Sequence, residues 1–264
     1  MPGAVALLQP GAMGSRVGGE LVTAGREVRW LADGRTAATA ERADREGLRR
    51  TTIAAELVDG ADLVLSVCPP QAALDLARLV ASTGFSGTYV DANPISPGLL
   101  REVESTVTVA GATFVDGGIV GPPPAAGRRT HLYLSGPRAA VQQVASAFAG
   151  TAVTALDLGD RVGAASAAKQ AYALFNKGGL ALAHVAGEIA AAYGVSDTLA
   201  AEAARPGGDV LADATDLTAQ LRQVAWRWAP ELEETAATLR AAGLDPAPAQ
   251  AAAAVFARLA APAE

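Results

Sequence analysis

One stretch of the chain, residues 160–193, contains no proline and places alanine or leucine at most of its positions. This pattern predicts one long helix. At about 3.6 residues per turn, Lys169 shares a face with Tyr172, Ala173 and Asn176. A lone lysine on a mostly apolar face has two interpretations. Either its stem is buried while the ammonium reaches water, or the ammonium lies in a cleft and donates a proton to a reactant.

The composition restricts the kind of partner. The 264 residues suffice for one large or two modest domains, and the net charge is −6. Basic residues are scattered apart from small pairs such as Arg49-Arg50, so no nucleic-acid surface is expected. The single cysteine, Cys68, excludes an internal disulfide, and no cluster of Cys and His predicts a metal site. Without a charged leader or a long apolar run, we expect a cytoplasmic protein with no membrane partner.

The chain opens with the pattern of a strand, a tight turn and a helix. Residues 4–8 are an apolar run, and the turn that follows holds Gly11, Ala12, Met13 and Gly14. Such a unit directs backbone N–H groups and the positive end of a helix towards one place, which suits a pyrophosphate. The dinucleotide fingerprint G-x-G-x-x-G is incomplete, because Gln9 occupies its first position. An ordinary strand-to-helix turn is therefore the alternative.

A second strand pattern, residues 27–31, runs into a loop that would meet the adenosine ribose of a dinucleotide. Asp33 lies about 20 residues past the glycines, where a carboxylate accepts from a ribose 2′-hydroxyl and favours NAD. Arg35 with Thr36 could instead bind a 2′-phosphate, which favours NADP. We favour NADP(H) over NAD(H).

Strand and helix patterns keep alternating as far as residue 158. They predict an α/β fold, a Rossmann-like, mostly parallel and doubly wound sheet followed by a smaller all-helical domain. We expect the dinucleotide-binding domain over residues 1–158, the long helix over 159–193 and the helical domain over 194–264. Within the first domain, residues 114–124 are rich in Gly and Pro and predict a strand end that runs into an irregular loop.

Together, these motifs resemble the β-hydroxyacid dehydrogenases, which include 3-hydroxyisobutyrate and 6-phosphogluconate dehydrogenases and their imine reductase relatives. The resemblance covers nearly the whole chain, and its last part is similar to a short helical domain of 6-phosphogluconate dehydrogenase-like proteins. Residues 8–14 are similar to the family's glycine-rich loop, and residues 116–121 to its substrate loop. Gly163 and Lys169 are similar to its catalytic segment. The strand-end turn of the family resembles Val67, Cys68 and Pro69.

The resemblance implies that Lys169 is the catalytic acid/base, which delivers a proton while the nicotinamide delivers hydride. It also implies that the glycine-rich loop and the turn at Cys68 bind the cofactor. From the substrate loop it implies contacts to the substrate by Gly118, Val120 and Gly121.

Three departures from the family pattern affect the substrate site. Val120 occupies a serine position, Asn93 and Pro94 replace a serine-threonine pair, and Ala173 replaces an asparagine. We expect Asn93 to contact cofactor and substrate, and Tyr172 and Asn176 to supply further polar contacts. Each also has a structural interpretation, as a turn residue, a buried phenol and a helix-surface amide respectively.

The sequence thus predicts an NAD(P)-dependent dehydrogenase or reductase that acts on a small carbonyl compound or alcohol. An imine reductase on the same scaffold is one alternative, although Lys169 argues against it because that branch usually carries another residue there. A dinucleotide-binding regulator without turnover is a second alternative, of another class. The long helix exceeds what a helical domain of about 70 residues covers, so we also expect a homodimer.

Overall fold

The structure, a computed structural model, describes residues 3–125, 127–204 and 217–260. The chain divides into two compact units, Met1–Lys169 and Gln170–Glu264. Eight strands build the first unit: β1 (Ala4–Leu7), β2 (Val28–Leu31), β3 (Arg49–Thr51), β4 (Ala61–Ser66), β5 (Thr88–Asp91), β6 (Thr113–Val120), β7 (Thr130–Ser135) and β8 (Val153–Asp157). They form one sheet in the order β3-β2-β1-β4-β5-β6-β7-β8.

Most neighbouring strands of the sheet are parallel, and β6 and β7 pair antiparallel. The helices between them are α1 (Ala12–Thr23), α2 (Ala37–Arg45), α3 (Ala54–Val58), α4 (Ala73–Ala81), α5 (Pro97–Val109) and α6 (Arg138–Ala147), with a 3₁₀ turn over Pro70–Ala72 before α4. This confirms the predicted Rossmann-like fold class.

Helices cover both faces of the sheet, and consecutive residues of each strand point to opposite faces. Val5 and Leu7 of β1 pack in one buried cluster with residues of α1, α2 and α6. Ala6 and the following Leu8 pack in a second cluster with residues of α3, α4 and α5. The continuous apolar runs of the sequence therefore correspond to strands buried on two faces.

Strand β6 extends to Val120, further than its glycines suggested, so the expected loop over these residues is wrong in part. Gly117 and Gly118 lie in the strand and pair with Leu134 and Tyr133 of β7. Their lack of a side chain permits close packing rather than a turn. A Cβ at Gly118 would lie 2.7 Å from the carbonyl oxygen of Ala165.

The long helix, α7, covers Ala164–Ala192 and so begins four residues later than the sequence pattern indicated, at 164 rather than 160. Gly163 precedes it with a φ of +99°, a conformation outside the right-handed helix that glycine adopts without strain. The first compact unit extends past residue 158 and ends at Lys169, within α7. The functional domain boundaries at 158 and 193 stay a prediction.

The second unit contains the rest of α7 with α8 (Ser196–Ala203), α9 (Leu217–Ala241) and α10 (Ala247–Ala260). Its buried cluster includes Leu232 and Phe256, and Trp228 packs edge-on against Phe256 with ring centroids 5.3 Å apart. Pro230 lies inside α9. Trp226 is 63% exposed and does not pack in this core. None of the described helices combines the length and apolar character needed to cross a membrane.

Candidate functional site

The turn between β1 and α1 leaves the N-terminus of α1 open. Gly11 occupies the N-cap position with no side-chain hydrogen bond to the helix, and a Cβ added there would have nothing within 4 Å. The N–H groups of Ala12, Met13 and Gly14 begin the helix, where an α-helix supplies no internal acceptor. Anions bind at such helix ends.

Gly14 has a separate steric requirement in the same turn. A Cβ at this position would lie 2.3 Å from the carbonyl oxygen of Gln9, closer than real Cβ atoms approach an oxygen. Only glycine therefore lets α1 approach the end of β1 this closely. The incomplete glycine fingerprint nevertheless produces the turn geometry that a pyrophosphate needs.

The loop after β2 presents the three residues expected to select the cofactor. Asp33 and Thr36 are exposed, and Arg35 is half-buried. The hydroxyl of Thr36 caps α2 by accepting from the N–H of Thr39 at 3.3 Å. A groove of about 390 Å³ adjoins the loop, and its lining includes Arg35, Thr36 and Arg50. The Nε of Arg35 has no hydrogen-bond partner among the described residues, so the guanidinium keeps capacity for an anionic ligand.

Cys68 and Asn93 meet at the carboxyl ends of β4 and β5. The backbone N–H of Cys68 donates to Oδ1 of Asn93 at 2.6 Å. Burial, followed by the charge of Asp91, raises the pKa of the Cys68 thiol to about 12. The thiol is therefore protonated at neutral pH and unsuited to redox chemistry.

The side chain of Asn93 is turned inwards. Asn93 is 1% exposed. Its side-chain Nδ2 donates to Ser66 and Asp91, and its side-chain Oδ1 accepts from the backbone N–H of Cys68. The backbone oxygen of Asn93 also accepts from the N–H of Ile95. These bonds involve both side-chain polar atoms of Asn93, and its contacts to cofactor and substrate stay a prediction.

A buried carboxylate holds the start of the lysine-bearing helix. Asp116, at the midpoint of β6, accepts from the hydroxyl of Ser135, from the N–H groups of Gly163 and Ser166, and from the hydroxyl of Ser166. Burial raises the pKa of Asp116, and these hydrogen bonds counteract that rise. A carboxylate at a helix N-terminus also interacts favourably with the helix dipole. Asp116 thus anchors the first turn of α7 on the sheet.

Lys169 follows Ser166 by three residues on α7, and it is half-buried. A Cβ at Gly118 would lie 2.9 Å from the Cβ of Lys169. The side chain of Lys169 therefore starts directly beside β6, the strand that contains residues predicted to contact the substrate. Gly117 in turn lies against the backbone of Asp91 and Ala92. This series of contacts connects Lys169 with the end of β5, next to the turn at Cys68.

The other predicted substrate residues divide between the two units. Val120 ends β6 and is buried, and Gly121 follows with a φ of +111°. Tyr172 and Asn176 belong to the second unit, and both are exposed. The expectation of a buried phenol at Tyr172 is therefore wrong, because this residue is 44% exposed. Val67 is half-buried and Pro69 is exposed in the turn after β4.

Three polar groups of this edge escaped the sequence interpretation: Asp91, Asp116 and Ser166. A signal was present, because Asp91 and Asp116 each follow the same kind of apolar run, T-Y-V-D and T-F-V-D. A carboxylate in a strand buried on both faces requires internal donors. Among the described residues, no group of His, Cys, Asp and Glu could hold a metal ion.

Comparison with known families agrees with this geometry. The family model described as the NAD binding domain of 6-phosphogluconate dehydrogenase matches residues 4–159. A second model, described as a domain of unknown function (DUF1932), matches residues 190–259. No curated protein matches the chain in sequence.

Solved structures with similar folds include dehydrogenases and reductases. A conserved protein of unknown function, described as structurally similar to 3-hydroxyacid dehydrogenases, has 26% identity and a TM-score of 0.70, with 97% of this chain and 96% of that chain covered. The 3-hydroxyisobutyrate dehydrogenase of Mycobacterium tuberculosis has 19% identity and a TM-score of 0.77, covering 98% and 94% respectively. An imine reductase from Pseudomonas sp. has 21% identity and a TM-score of 0.61, covering 95% and 91%. At these identities the last two establish the fold alone.

Proposed function

We propose that this chain, which belongs to the family of the NAD binding domain of 6-phosphogluconate dehydrogenase, is an NAD(P)-dependent oxidoreductase acting on a small carbonyl compound or the corresponding alcohol. The observation that carries the proposal is the position of Lys169 directly beside Gly118 of β6. A proton donor at this position lies beside the same sheet that carries the turn between β1 and α1. That turn presents a helix end suited to binding an anion. A regulator without turnover has no need for an ammonium at this place.

The residues suit a nicotinamide dinucleotide. The open helix end at Gly11 fits a pyrophosphate, and the loop with Arg35 fits the adenosine ribose and its substituent. The turn after β4 would lie against the nicotinamide ribose. When bound, the dinucleotide supplies a hydride to the carbonyl carbon of the substrate.

Lys169 is proposed as the general acid for the reducing direction. Its ammonium polarises the carbonyl, and an N–H bond breaks as the O–H bond of the product alcohol forms. The neutral amine then takes a proton from solvent, to which the half-buried side chain has access. In the oxidising direction the same amine removes the hydroxyl proton. Asp116 supports this role by fixing the first turn of α7.

A substrate panel tests the proposal. The protein is incubated with NADPH and separate keto acids, aldehydes, ketones and cyclic imines, and cofactor oxidation is followed optically. We expect turnover with at least one carbonyl class. Turnover confined to imines would favour the imine reductase alternative, and dinucleotide binding without any turnover would favour the regulator.

We propose that Arg35 makes NADP(H) the preferred cofactor. Replacing Arg35 with alanine should weaken NADPH binding by about 1.5–3 kcal/mol through the loss of charge-assisted hydrogen bonds, with little effect on NADH. Arg78 of α4 provides the matched control, because it pairs with Asp75 on its own helix and should leave both affinities unchanged on replacement. Calorimetric titration measures both. Equal affinity of the unmodified protein for NADH and NADPH would assign cofactor selection to Asp33 instead.

We also propose a homodimer formed through the second unit. Phe175 and Leu182, seven residues apart on α7, are 79% and 73% exposed, and Trp226 is 63% exposed. Large apolar side chains grouped on one unit indicate an interaction surface. Light scattering at micromolar concentration should give a dimeric mass, and Leu182→Lys should shift it towards the monomer. Val109→Lys, at an 86% exposed position of the first unit, is the control that should stay dimeric. A monomeric mass for the unmodified protein would contradict the proposal.

A further inference from the structure

A buried set of hydrogen bonds lies behind the turn that contains Cys68. The backbone N–H and the Nδ2 of Asn93 donate to Oδ1 and Oδ2 of Asp91 at 3.1 and 3.0 Å. Nδ2 also donates to the hydroxyl of Ser66 at 2.9 Å. On the opposite side of the amide, Oδ1 of Asn93 accepts from the N–H of Cys68. Asp91 and Ser66 are 0% exposed, so water does not replace these partners.

This arrangement defines the orientation of the Asn93 amide. A flipped amide would place its NH₂ against the N–H of Cys68 and its oxygen against the carboxylate of Asp91, which pairs donor with donor and acceptor with acceptor. The carboxylate thus selects the orientation in which the amide oxygen faces Cys68. Burial of Ser66, Asp91 and Asn93 makes the unflipped set strongly preferred, since unpaired polar groups are costly there.

We propose that Asp91 is a positioning residue for the dinucleotide: through Asn93 it fixes the backbone N–H of Cys68 and thereby the turn against which the nicotinamide ribose binds. The proposal rests on the proposed function, which places the cofactor at that turn. Asp91 itself touches neither cofactor nor substrate, because it is buried beneath Asn93. It acts on binding by restricting the turn to one conformation before the cofactor arrives.

The ionisation of Asp91 gives this role a measurable signature. Burial raises the pKa of Asp91 to about 7, the hydrogen bonds from Asn93 oppose the rise, and the charge of Asp116 adds to it. The ionised carboxylate accepts both bonds from Asn93. A protonated carboxyl turns one of its two oxygens into a donor and weakens that fit. Restriction of the turn is therefore about half complete near pH 7, increases at higher pH and declines at lower pH.

Cys68, Tyr89 and Asp116 are the other titratable groups that interact with Asp91. Burial raises the pKa of Cys68 to about 12 and that of Tyr89 well above its usual value of 10, so both are neutral. Arg35 acts electrostatically on Cys68. Asp116 faces Asp91 from β6 and is held by its own four hydrogen bonds.

The pH effect on stability has the opposite sign to the effect on binding. The pKa of Asp91 is 3.8 in the absence of burial and higher in the fold, so the unfolded chain loses this proton first. Folding stability therefore falls as the pH rises from about 4 to about 7. The ionised carboxylate lowers the stability of the fold while it orders the turn, which separates a positioning role from a structural one.

The affinity of the full-length protein for NADPH tests the proposal. Dissociation constants for NADPH of the unmodified protein and of Asp91→Asn are measured by calorimetry at about pH 5.5 and about pH 8.5. At each pH, the dissociation constant of Asp91→Asn is divided by that of the unmodified protein. Protonation of the NADPH phosphate cancels in that ratio. We expect a ratio near one at the lower pH and a weakening by Asp91→Asn of about fivefold at the higher pH. A ratio that does not change with pH would overturn the inference.

Two further variants make the result specific. Asp62→Asn, at the opposite end of β4, should give a ratio near one at both pH values. Asn93→Ala removes the residue through which Asp91 acts, so the double variant with Asp91→Asn should bind no more weakly than Asn93→Ala alone. A double variant that binds NADPH more weakly than Asn93→Ala would overturn the inference, and this comparison does not use the affinity of Asp91→Asn alone. Failure of the unmodified protein to bind either dinucleotide would instead overturn the proposed function.

Discussion

Replacing Lys169 with methionine is expected to lower kcat by about 10²-fold or more, because the change removes the proton donor and keeps the length and apolar stem. Cofactor affinity should change little, since the dinucleotide turn and the adenosine loop lie on other elements. Steady-state kinetics on a substrate identified from the panel, with NADPH titration in parallel, measures both quantities. Near-normal turnover by Lys169→Met would remove the assigned role.

Two control variants separate proton transfer from charge and from packing. Lys169→Arg keeps the cation but not a proton that can be released, so it should lose about as much turnover as Lys169→Met. Lys177, the other lysine of the chain, is buried, pairs with Glu231 and lies 5.4 Å from the Trp228 ring centroid. Lys177→Met should lower Tm through the buried acid that it leaves behind, while the folded protein keeps its kcat.

The sequence predicted the first domain well because its physical signals are local. Apolar runs such as residues 62–67 are long enough to mark strands buried on both faces, and Gly11 and Gly14 mark the turn that follows β1. Glycine was a poorer guide in β6. Gly118 looked like part of a loop, whereas the structure uses it to admit α7 against the strand. Its explanation lies in a residue nearly fifty positions away, which no local pattern contains.

The site was predicted less completely than the fold, and the reason is again long-range. The apolar helix face leaves two interpretations of Lys169 open and the family resemblance implies its catalytic role, but neither shows that Asp116 anchors that helix. Nor does either show that Asn93 is consumed by internal hydrogen bonds. Apart from Asp91, which lies two residues before Asn93, the partners come from other strands, turns or helices and meet only in the folded chain. Buried polar networks of this kind are specified by tertiary structure.

Acidic substrates are expected to be poor ones. Relative to the family pattern, Val120 and Ala173 replace a serine and an asparagine, and neither side chain donates a hydrogen bond. Both residues are buried, with exposures of 6% and 1%. A carboxylate held without its usual donors loses about 1–3 kcal/mol for each missing partner. Two missing donors should therefore lower kcat/KM on 3-hydroxyisobutyrate or 6-phosphogluconate by about 10²-fold relative to a neutral carbonyl compound of similar size.

Backbone donors of β6 could compensate for the missing side-chain donors, which makes a side-chain replacement the decisive comparison. Beyond Asp116, β6 pairs with β7 but no longer with β5 among the described strands, so the segment from Gly117 to Val120 has one edge without a strand partner. If that edge does not bind the carboxylate, Val120→Ser should raise kcat/KM on 3-hydroxyisobutyrate by about tenfold and leave neutral substrates nearly unchanged. If the unmodified protein already reaches about 10⁴ M⁻¹s⁻¹ on either acid, the backbone of β6 supplies the anion site and the preference for neutral substrates is wrong.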